Sequence, residues 1–455
     1  MHEYQNTLIQ EIALGLNIIP QQLDLSISFA CNGGDSLSAI SVASSCRAKQ
    51  LPLTVAMLMG SDSVDCVIRE LDKAVEGILL CSRAPSNPHH EPTGFTGSHQ
   101  LVWAPATTTH DNDRVSPATD MQISLMHGSM AQPGRNIIRY CETYRTGDIP
   151  QVKRAWLALA TTEPIFRTVL EGHEHAYLVA EAEHPPFMWE EKTVYQRDSF
   201  EYALSRHSPD TKLTGNAFQV VHLRMGDRAT ESKVIWSTHH ALMDGYSSVL
   251  LLNKHRAILS GGAPSPSRSF VSLLGKVAAF RQGQKLASYR FWEKQERALH
   301  AAKGELLLPR LMSPVTSLYA REDIVLDITG AELLNRARAA RVTVATLFYT
   351  AWALVLSRYV DSDCVLFGVV LSGRTIPIVG AQEVVEPLIN SVPFLITLQP
   401  SANSVDFLQS VFKQSIDLET FQWEVPDRYK MRRFPSMIDI HFEAPTSGTT
   451  GLPGL

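Results

Sequence analysis

The chain has 455 residues, of which 44% are hydrophobic and 19% are charged. This composition is typical of folded globular proteins and excludes a disordered or fibrous chain, and the length predicts two or three domains. The formal net charge of −5, with no block of lysines and arginines, argues against nucleic acid as a partner.

The six cysteines are scattered along the chain without a C-x-x-C pair, which predicts reduced and mostly structural thiols. The N-terminal segment is amphipathic and lacks the basic and apolar regions of a signal peptide. No apolar run is long enough to cross a bilayer. These features predict a cytoplasmic protein that does not bind a membrane.

Residues 1–80 show helical spacing and predict a small all-α unit. Apolar side chains recur every three or four positions over residues 8–16, a second helix is expected to start at Asp35-Ser36, and a third from about Ser63. A bundle of three or four helices of this size can fold alone with a thin core.

Residues 81–118 are rich in Pro, Ser, Thr, Gly and His and predict a linker. Over residues 119–455 helix-like and strand-like segments alternate without a strict βαβ rhythm, which predicts a mixed α/β domain. Within it, strand-like ESKVIWST ends at a histidine pair, and helix-like YSSVLLLNKHRAIL follows shortly after.

The motif GGDSL at residues 33–37 is the first chemical candidate. The glycines permit a tight turn, Asp35 suits a helix N-cap, and Ser36 would lie in the first helical turn beside the positive end of the helix dipole. A phosphodiester on that hydroxyl would be favoured there, because free N–H groups attract anions. An ordinary loop and helix cap would explain the same residues without chemistry.

The motif HHALMDG at residues 239–245 is the second candidate. A histidine at a strand end can titrate near neutral pH and accept a proton, while Asp244 can order the loop and Gly245 permits a sharp turn. A surface accident and a metal site are the alternatives, although no further set of metal ligands is evident. A serine-hydrolase triad would need a G-x-S-x-G elbow, which the chain lacks.

Together these motifs resemble the thiolation and condensation domains of non-ribosomal peptide synthetases, in a fungal style. GGDSL resembles the L-G-G-D/H-S-L/I attachment motif of peptidyl carrier domains, with Asn32 in place of the usual leucine. HHALMDG resembles the H-H-x-x-x-D-G of condensation domains. Residues 151–170, the segment ending in FGVVLSGR, and PLINSVPFLI also resemble condensation-domain segments, and they occur in family order over about 300 residues.

The resemblance implies a four-helix carrier bundle at residues 1–80, followed at residues 119–455 by an α/β condensation domain of two chloramphenicol-acetyltransferase-like lobes. The second segment is shorter than such domains usually are, so we expect late strands of the second lobe to be missing. TSGTTGLPG at residues 446–454 looks like the phosphate loop of acyl-adenylating enzymes but lacks the lysine that usually follows, and a flexible tail is expected there.

The resemblance also implies the site residues. Ser36 would carry covalent 4′-phosphopantetheine, with Asp35 beside it, and His240 would be the catalytic residue. His239 would support the site and Gly245 would let the acceptor approach the backbone. No metal is expected.

Asp244 is expected to be a structural partner that forms a salt bridge with Arg167. The implied partners are a phosphopantetheinyl transferase, other synthetase modules or carrier domains, and an acyl or aminoacyl substrate. The implied activity is amide or ester formation from a carrier-bound acyl group. Two alternatives stay open: a carrier and docking protein with an inactive condensation lobe, and an acyltransferase that uses soluble acyl-CoA.

Overall fold

A computed structural model describes residues 3–34, 36–81, 115–132, 134–173, 176–181, 188–206, 216–226, 228–301, 322–425 and 436–441. Asp35, the side chain of Ser36, most of the expected linker and the glycine-rich segment at residues 446–454 lie outside the described residues.

The N-terminal unit contains four helices: α1 (Glu3–Gly15), α2 (Ser36–Ala48), α3 (Val55–Gly60) and α4 (Val64–Cys81). The second helix begins at Ser36, as the glycine turn predicts. The short α3 was not predicted, because six residues span too few turns to show a period; the Thr54 hydroxyl caps it by accepting from the N–H of Met57. These helices share a core of their own that includes Leu8, Ile12, Phe29, Ile40, Leu58 and Val67.

The first lobe of the larger domain follows. Its elements are β1 (Val115–Pro117), α5 (Asp120–Ala131), β2 (Ile137–Arg145), α6 (Ile149–Thr162), β3 (Thr168–His173), β4 (Ala176–Glu181), β5 (Met188–Val194), α7 (Arg197–Arg206), β6 (Asn216–Met225), β7 (Arg228–His239) and α8 (Gly245–Leu259). One sheet has the order β2-β7-β6-β5 and a second has the order β1-β4-β3. Trp156 of α6 packs against Phe218 and Trp236 of the first sheet, which holds the helix layer on it.

The second lobe contains α9 (Phe270–Ala301), α10 (Gly330–Ala340), α11 (Val344–Val360), β8 (Cys364–Leu371), β9 (Asn390–Thr397), α12 (Ser404–Phe421) and β10 (Met437–Ile438). Its sheet has the order β10-β8-β9, with β10 parallel to β8. The central strand β8 is buried at seven of its eight positions, which explains its nearly continuous apolar run.

The N-terminal helical unit packs against the second lobe. Phe412 and Ile416 of α12 pack against the helical core, as does Met57 of α3. The guanidinium of Arg338 on α10 lies against Gly33, where an added Cβ would be only 2.3 Å from Nη2. The glycine turn before Ser36 therefore meets the larger domain directly.

Among the described helices, none is long and apolar enough by itself to cross a bilayer; α10 and α11, which bend by 88° between them, pass that test of length and composition only as a pair. The described residues also contain no group of three or more His, Cys, Asp or Glu side chains that could hold a metal ion.

Candidate active site

The histidine pair lies where the longest strand of the first lobe ends. β7 runs between β2 and β6, and its last residue, His239, is opposite Ile137. The N–H of His240 donates to the carbonyl of Asn136 at 2.7 Å, which extends the ladder by one bond. Asn136 has a φ of 63°, a left-handed conformation that asparagine tolerates better than most residues. Backbone hydrogen bonds therefore hold the pair at the end of a central strand, and the strand end is what the sequence predicts.

His239 is a buried support, with only 3% of its surface exposed. Its Nδ1 accepts from the N–H of Ala241 at 3.0 Å, so Nε2 carries the proton and donates to the Ser129 hydroxyl at 2.8 Å. Burial, and next the neighbouring His240, lower the pKa of His239 to about 4. Both nitrogens are engaged and the ring stays neutral at neutral pH, so His239 is not available as a base.

His240 is half-buried and has the opposite arrangement. Its Nδ1 lies 2.8 Å from the carbonyl oxygen of Met243, and because a carbonyl only accepts, Nδ1 carries the proton. In the neutral ring the other nitrogen, Nε2, then has a free lone pair, and the described residues offer it no hydrogen-bond partner. This is the tautomer that a general base needs.

Asp244 is fully buried and orders the loop that follows the histidines. It caps α8: Oδ1 accepts from the N–H of Ser247 at 2.7 Å and from its hydroxyl at 2.6 Å. Oδ2 accepts from the N–H of Leu388 at 2.9 Å. The carboxylate therefore joins the start of α8 to the segment between β8 and β9 in the second lobe.

The predicted salt bridge between Asp244 and Arg167 is wrong. Asp244 pairs instead with Arg374, whose Nη2 lies 3.3 Å from Oδ1 and which is also completely buried. Arg167 is half-buried and donates to the backbone carbonyl of Thr161 at 3.4 Å. A buried carboxylate requires a buried counter-charge, and Arg374 supplies it from the other lobe.

Arg374 is the functional residue that sequence reasoning missed. Its guanidinium donates to backbone carbonyls of the segment around it and to the Ser247 hydroxyl, and it lies over the ring of Tyr246 at 4.3 Å. It is the arginine at the end of the FGVVLSGR segment, which resembles a condensation-domain segment. The pairing with Asp244 spans 130 residues, and no local pattern encodes it.

Helix α5 also contacts this loop, through a hydrogen bond from one of its side chains. Gln122, which is 1% exposed, donates through Nε2 to the carbonyl of Ala241 at 2.9 Å. Its Oε1 also accepts from the N–H of Thr119, closing the capping box at the start of α5. One side chain thus joins a helix cap to the residue that follows His240.

Gly245 is exposed and is the first residue of α8. A Cβ added there would lie 3.7 Å from the ring of His441, which is an ordinary van der Waals distance. The space between Gly245 and His441 could therefore hold a methyl group. The structure thus brings His239, His240, Asp244 and Gly245 together in one loop. Ser36 belongs to the separate helical unit.

The comparisons with known proteins agree with this geometry. Residues 113–423 match the family model described as the condensation domain. The chain belongs to the condensation-domain family. Condensation domains transfer acyl groups to form amide or ester bonds, so the domain described here is an acyl-transferring enzyme domain of that kind.

Relatives of this condensation domain are fungal peptide synthetases. The nonribosomal peptide synthetase aclP of Aspergillus oryzae is 33% identical over 98% of this chain, which covers 28% of that protein. The nonribosomal peptide synthetase ataP of Aspergillus terreus is 30% identical over 99% of this chain and 31% of its own length. The chain therefore spans under a third of these relatives.

Solved structures show the same two-lobed fold. Holo T3CT aligns with a TM-score of 0.57 at 18% identity, covering 74% of this chain and 76% of its own. The condensation domain of the Monacolin K polyketide synthase MokA gives a TM-score of 0.54 at 15% identity, over 73% of this chain and 79% of that one. The expected chloramphenicol-acetyltransferase-like fold of the larger domain is confirmed.

Proposed function

We propose that this chain works as a thiolation–condensation unit, in which Ser36 holds an acyl group on 4′-phosphopantetheine and His240 promotes its transfer to an acceptor. The observation that carries the proposal is the hydrogen-bond pattern of the histidine pair. His239 has both ring nitrogens in hydrogen bonds, whereas His240, at a strand end, uses Nδ1 and leaves Nε2 without a partner among the described residues. The proposed domains are a carrier at residues 1–80, a linker at 81–118 and a condensation domain at 119–455.

The geometry around Ser36 fits a phosphodiester. Gly33 has a φ of +103°, and a Cβ on Gly34 would lie 2.1 Å from the ring of Phe29, so the turn requires both glycines. The turn makes Ser36 the first residue of α2, where unpaired backbone N–H groups favour an anion. The guanidinium of Arg338 beside Gly33 adds positive charge.

The alignments support a carrier role for the helical unit. The similarity to aclP and ataP covers 98% and 99% of this chain, so it includes the four N-terminal helices as well as the condensation domain. Those helices have a core of their own, which suits a unit that must be recognised by a phosphopantetheinyl transferase. When bound, the phosphopantetheine arm supplies a terminal thiol that carries the acyl group as an activated thioester.

The chain's own residues then perform the transfer. His240 Nε2 accepts a proton from the attacking amine or hydroxyl as its nitrogen or oxygen bonds to the acyl carbon. The bond from that carbon to sulfur breaks, and the proton passes from His240 to the departing sulfur, which balances the step. Met243 holds the ring orientation through its carbonyl, and Asp244 and Arg374 keep the loop rigid. Positioning of an already activated thioester supplies much of the acceleration.

The proposal is tested by loading the chain with acetyl-coenzyme A and a phosphopantetheinyl transferase, followed by intact-mass measurement. The wild type is expected to gain one acetyl-phosphopantetheine, and Ser36→Ala none. Ser38→Ala, on the same helix, is the matched control and should load normally. Transfer to an added amine should disappear with Ser36→Ala.

Two outcomes would contradict the proposal in different ways. Transfer by Ser36→Ala from free acetyl-coenzyme A would show an acyltransferase that needs no carrier. Normal loading without transfer to any amine or hydroxyl would show a carrier and docking protein with an inactive condensation domain. The other proposed partners, synthetase modules or carrier domains that supply and accept acyl groups, and the cytoplasmic location remain predictions.

A further inference from the structure

A carboxylate–histidine pair follows the last described strand of the second lobe. β10 is parallel to β8, and Ser436 just before it accepts from the N–H of Gly368 at 2.9 Å. The chain alternates along the strand and just after it: Ile438 and Ile440 pack on the lobe's core, while three side chains between and beside them are exposed. Those three are Met437, Asp439 and His441. The pair lies outside the residues that match the family model, which end at 423.

Asp439 fixes the tautomer of His441. The Nε2 of His441 lies 2.8 Å from Oδ2 of Asp439, and a carboxylate accepts hydrogen bonds, so Nε2 carries the proton. In the neutral ring Nδ1 then has a free lone pair, and the described residues offer it no partner. The His441 side chain is 60% exposed, so this lone pair is open to a ligand.

The free edge of His441 faces the catalytic motif from across the two lobes. A Cβ added to Gly245 would lie 3.7 Å from Cε1 and 3.9 Å from Nδ1 of His441. Gly245 is the last residue of HHALMDG, five positions after His240. His441 of the second lobe therefore lies beside the last residue of the motif that contains His240.

We propose that His441, oriented by Asp439, binds the acceptor nucleophile and selects an amine over a hydroxyl. A neutral primary amine has two N–H donors and one lone pair, so it can donate to His240 and to His441 and still attack with its lone pair. A hydroxyl has one donor and can satisfy only one of the two nitrogens. The inference rests on the proposed function and assigns it an amine acceptor.

The kinetic test uses the full chain, loaded at Ser36 with an acetyl-phosphopantetheine group, and a matched pair of acceptors, glycinamide and glycolamide. His441→Ala is expected to raise the KM for glycinamide about tenfold, the effect of one lost hydrogen bond, with kcat changed little. It should also reduce the preference for glycinamide over glycolamide. Asp439→Asn should give an intermediate KM, and His441→Gln, which keeps an acceptor atom, should recover part of the loss.

Met437→Ala is the control variant, because Met437 is exposed on the same side of the same segment and should leave both parameters unchanged. A purely structural role for His441 would change kcat and KM of both acceptors together. An unchanged KM for glycinamide in His441→Ala would overturn the proposal.

A binding measurement tests the proposal even if turnover is undetectable. In protein labelled with ¹³C at histidine Cε1, the His441 signal is assigned by its absence from His441→Ala, and glycinamide is titrated into His240→Ala. A saturable shift of that signal, larger than with glycolamide, is expected. No shift would refute the role of His441, whereas failure of Ser36 to load would refute the carrier half of the proposed function and leave the titration valid.

Discussion

At the scale of single residues, the buried pair of Asp244 and Arg374 is the feature that holds the loop after the histidine pair. Both side chains are completely buried, and they join the start of α8 to the second lobe. Removing one member of such a pair leaves an uncompensated charge inside the protein. The pair is therefore expected to matter for the structure of this loop.

Arg374→Ala is expected to lower the free energy of unfolding by about 3–5 kcal/mol, because Asp244 would remain buried without its counter-charge. Arg167→Ala, at the position that the sequence wrongly favoured, should change it by less than about 1 kcal/mol, since its one described bond is a long one to a backbone carbonyl. Urea unfolding of both variants checks the pair. Equal effects would contradict the assignment of Arg374 as the partner.

Buried histidines predict how stability depends on pH. The ring of His255 stacks on Trp156, with 4.2 Å between the ring centroids. Burial lowers the pKa of His255 to about 4, from about 6.5 in an unfolded chain. The unfolded chain therefore binds a proton first as the pH falls, so this stabilisation is complete above about pH 6.5 and is lost progressively down to about pH 4. His239 acts in the same direction, and Glu386, whose pKa burial raises, acts in the opposite one.

In His255→Phe, the free energy of unfolding should depend less steeply on pH between 6.5 and 4, by up to about 1.4 kcal/mol per pH unit. Phe166→Leu, which changes the same core without a titrating group, should lower stability and leave the pH slope as it is in the wild type. Urea unfolding at half-unit pH steps measures both slopes. An identical slope in His255→Phe would show that this ring does not stay neutral in the folded state.

At the scale of elements, one side chain of helix α5 contacts the loop after the histidine pair. The buried side-chain amide of Gln122 makes two hydrogen bonds. Its oxygen closes the capping box of α5, and its nitrogen donates to the carbonyl of Ala241. The helix start and the residue after His240 therefore move together. A substitution in this helix should therefore affect the position of His240 although the helix does not contact that side chain through Gln122.

Gln122→Ala is expected to lower the free energy of unfolding by about 1–3 kcal/mol, because it leaves a buried carbonyl without its donor. It should also slow acyl transfer while loading of Ser36 stays normal. Ser124→Ala, at an exposed position of the same helix, is the matched control. Unchanged transfer in Gln122→Ala would show that α5 does not position His240.

The sequence predicts the elements that carry a clear period and a clear end. The apolar alternation before His239 and the helical pattern after Gly245 predicted β7, α8 and the loop between them. Helix α3 was missed because it has only six residues. Arg374 was visible within a motif, but its pairing with Asp244 depends on how the two lobes pack, and His441 is a single histidine near a two-residue strand that has no pattern of its own.

At the scale of the whole molecule, the contacts connect a helical unit, a catalytic loop and a second lobe. Arg338 of the second lobe lies against the turn before Ser36, Arg374 of that lobe holds Asp244, and His441 faces Gly245. The expectation that late strands of the second lobe are missing stays a prediction, and the reading frame after codon 455 tests it.

The central claim is that His240 promotes transfer of an acyl group carried on Ser36. The most direct test is a single-turnover experiment, in which acetyl-loaded chain is mixed with glycinamide and the loss of the acetyl group is followed by intact mass. His240→Ala should load fully but transfer at least about a hundredfold more slowly than the wild type, the usual contribution of a general base. Equal transfer rates in the two proteins would contradict the account.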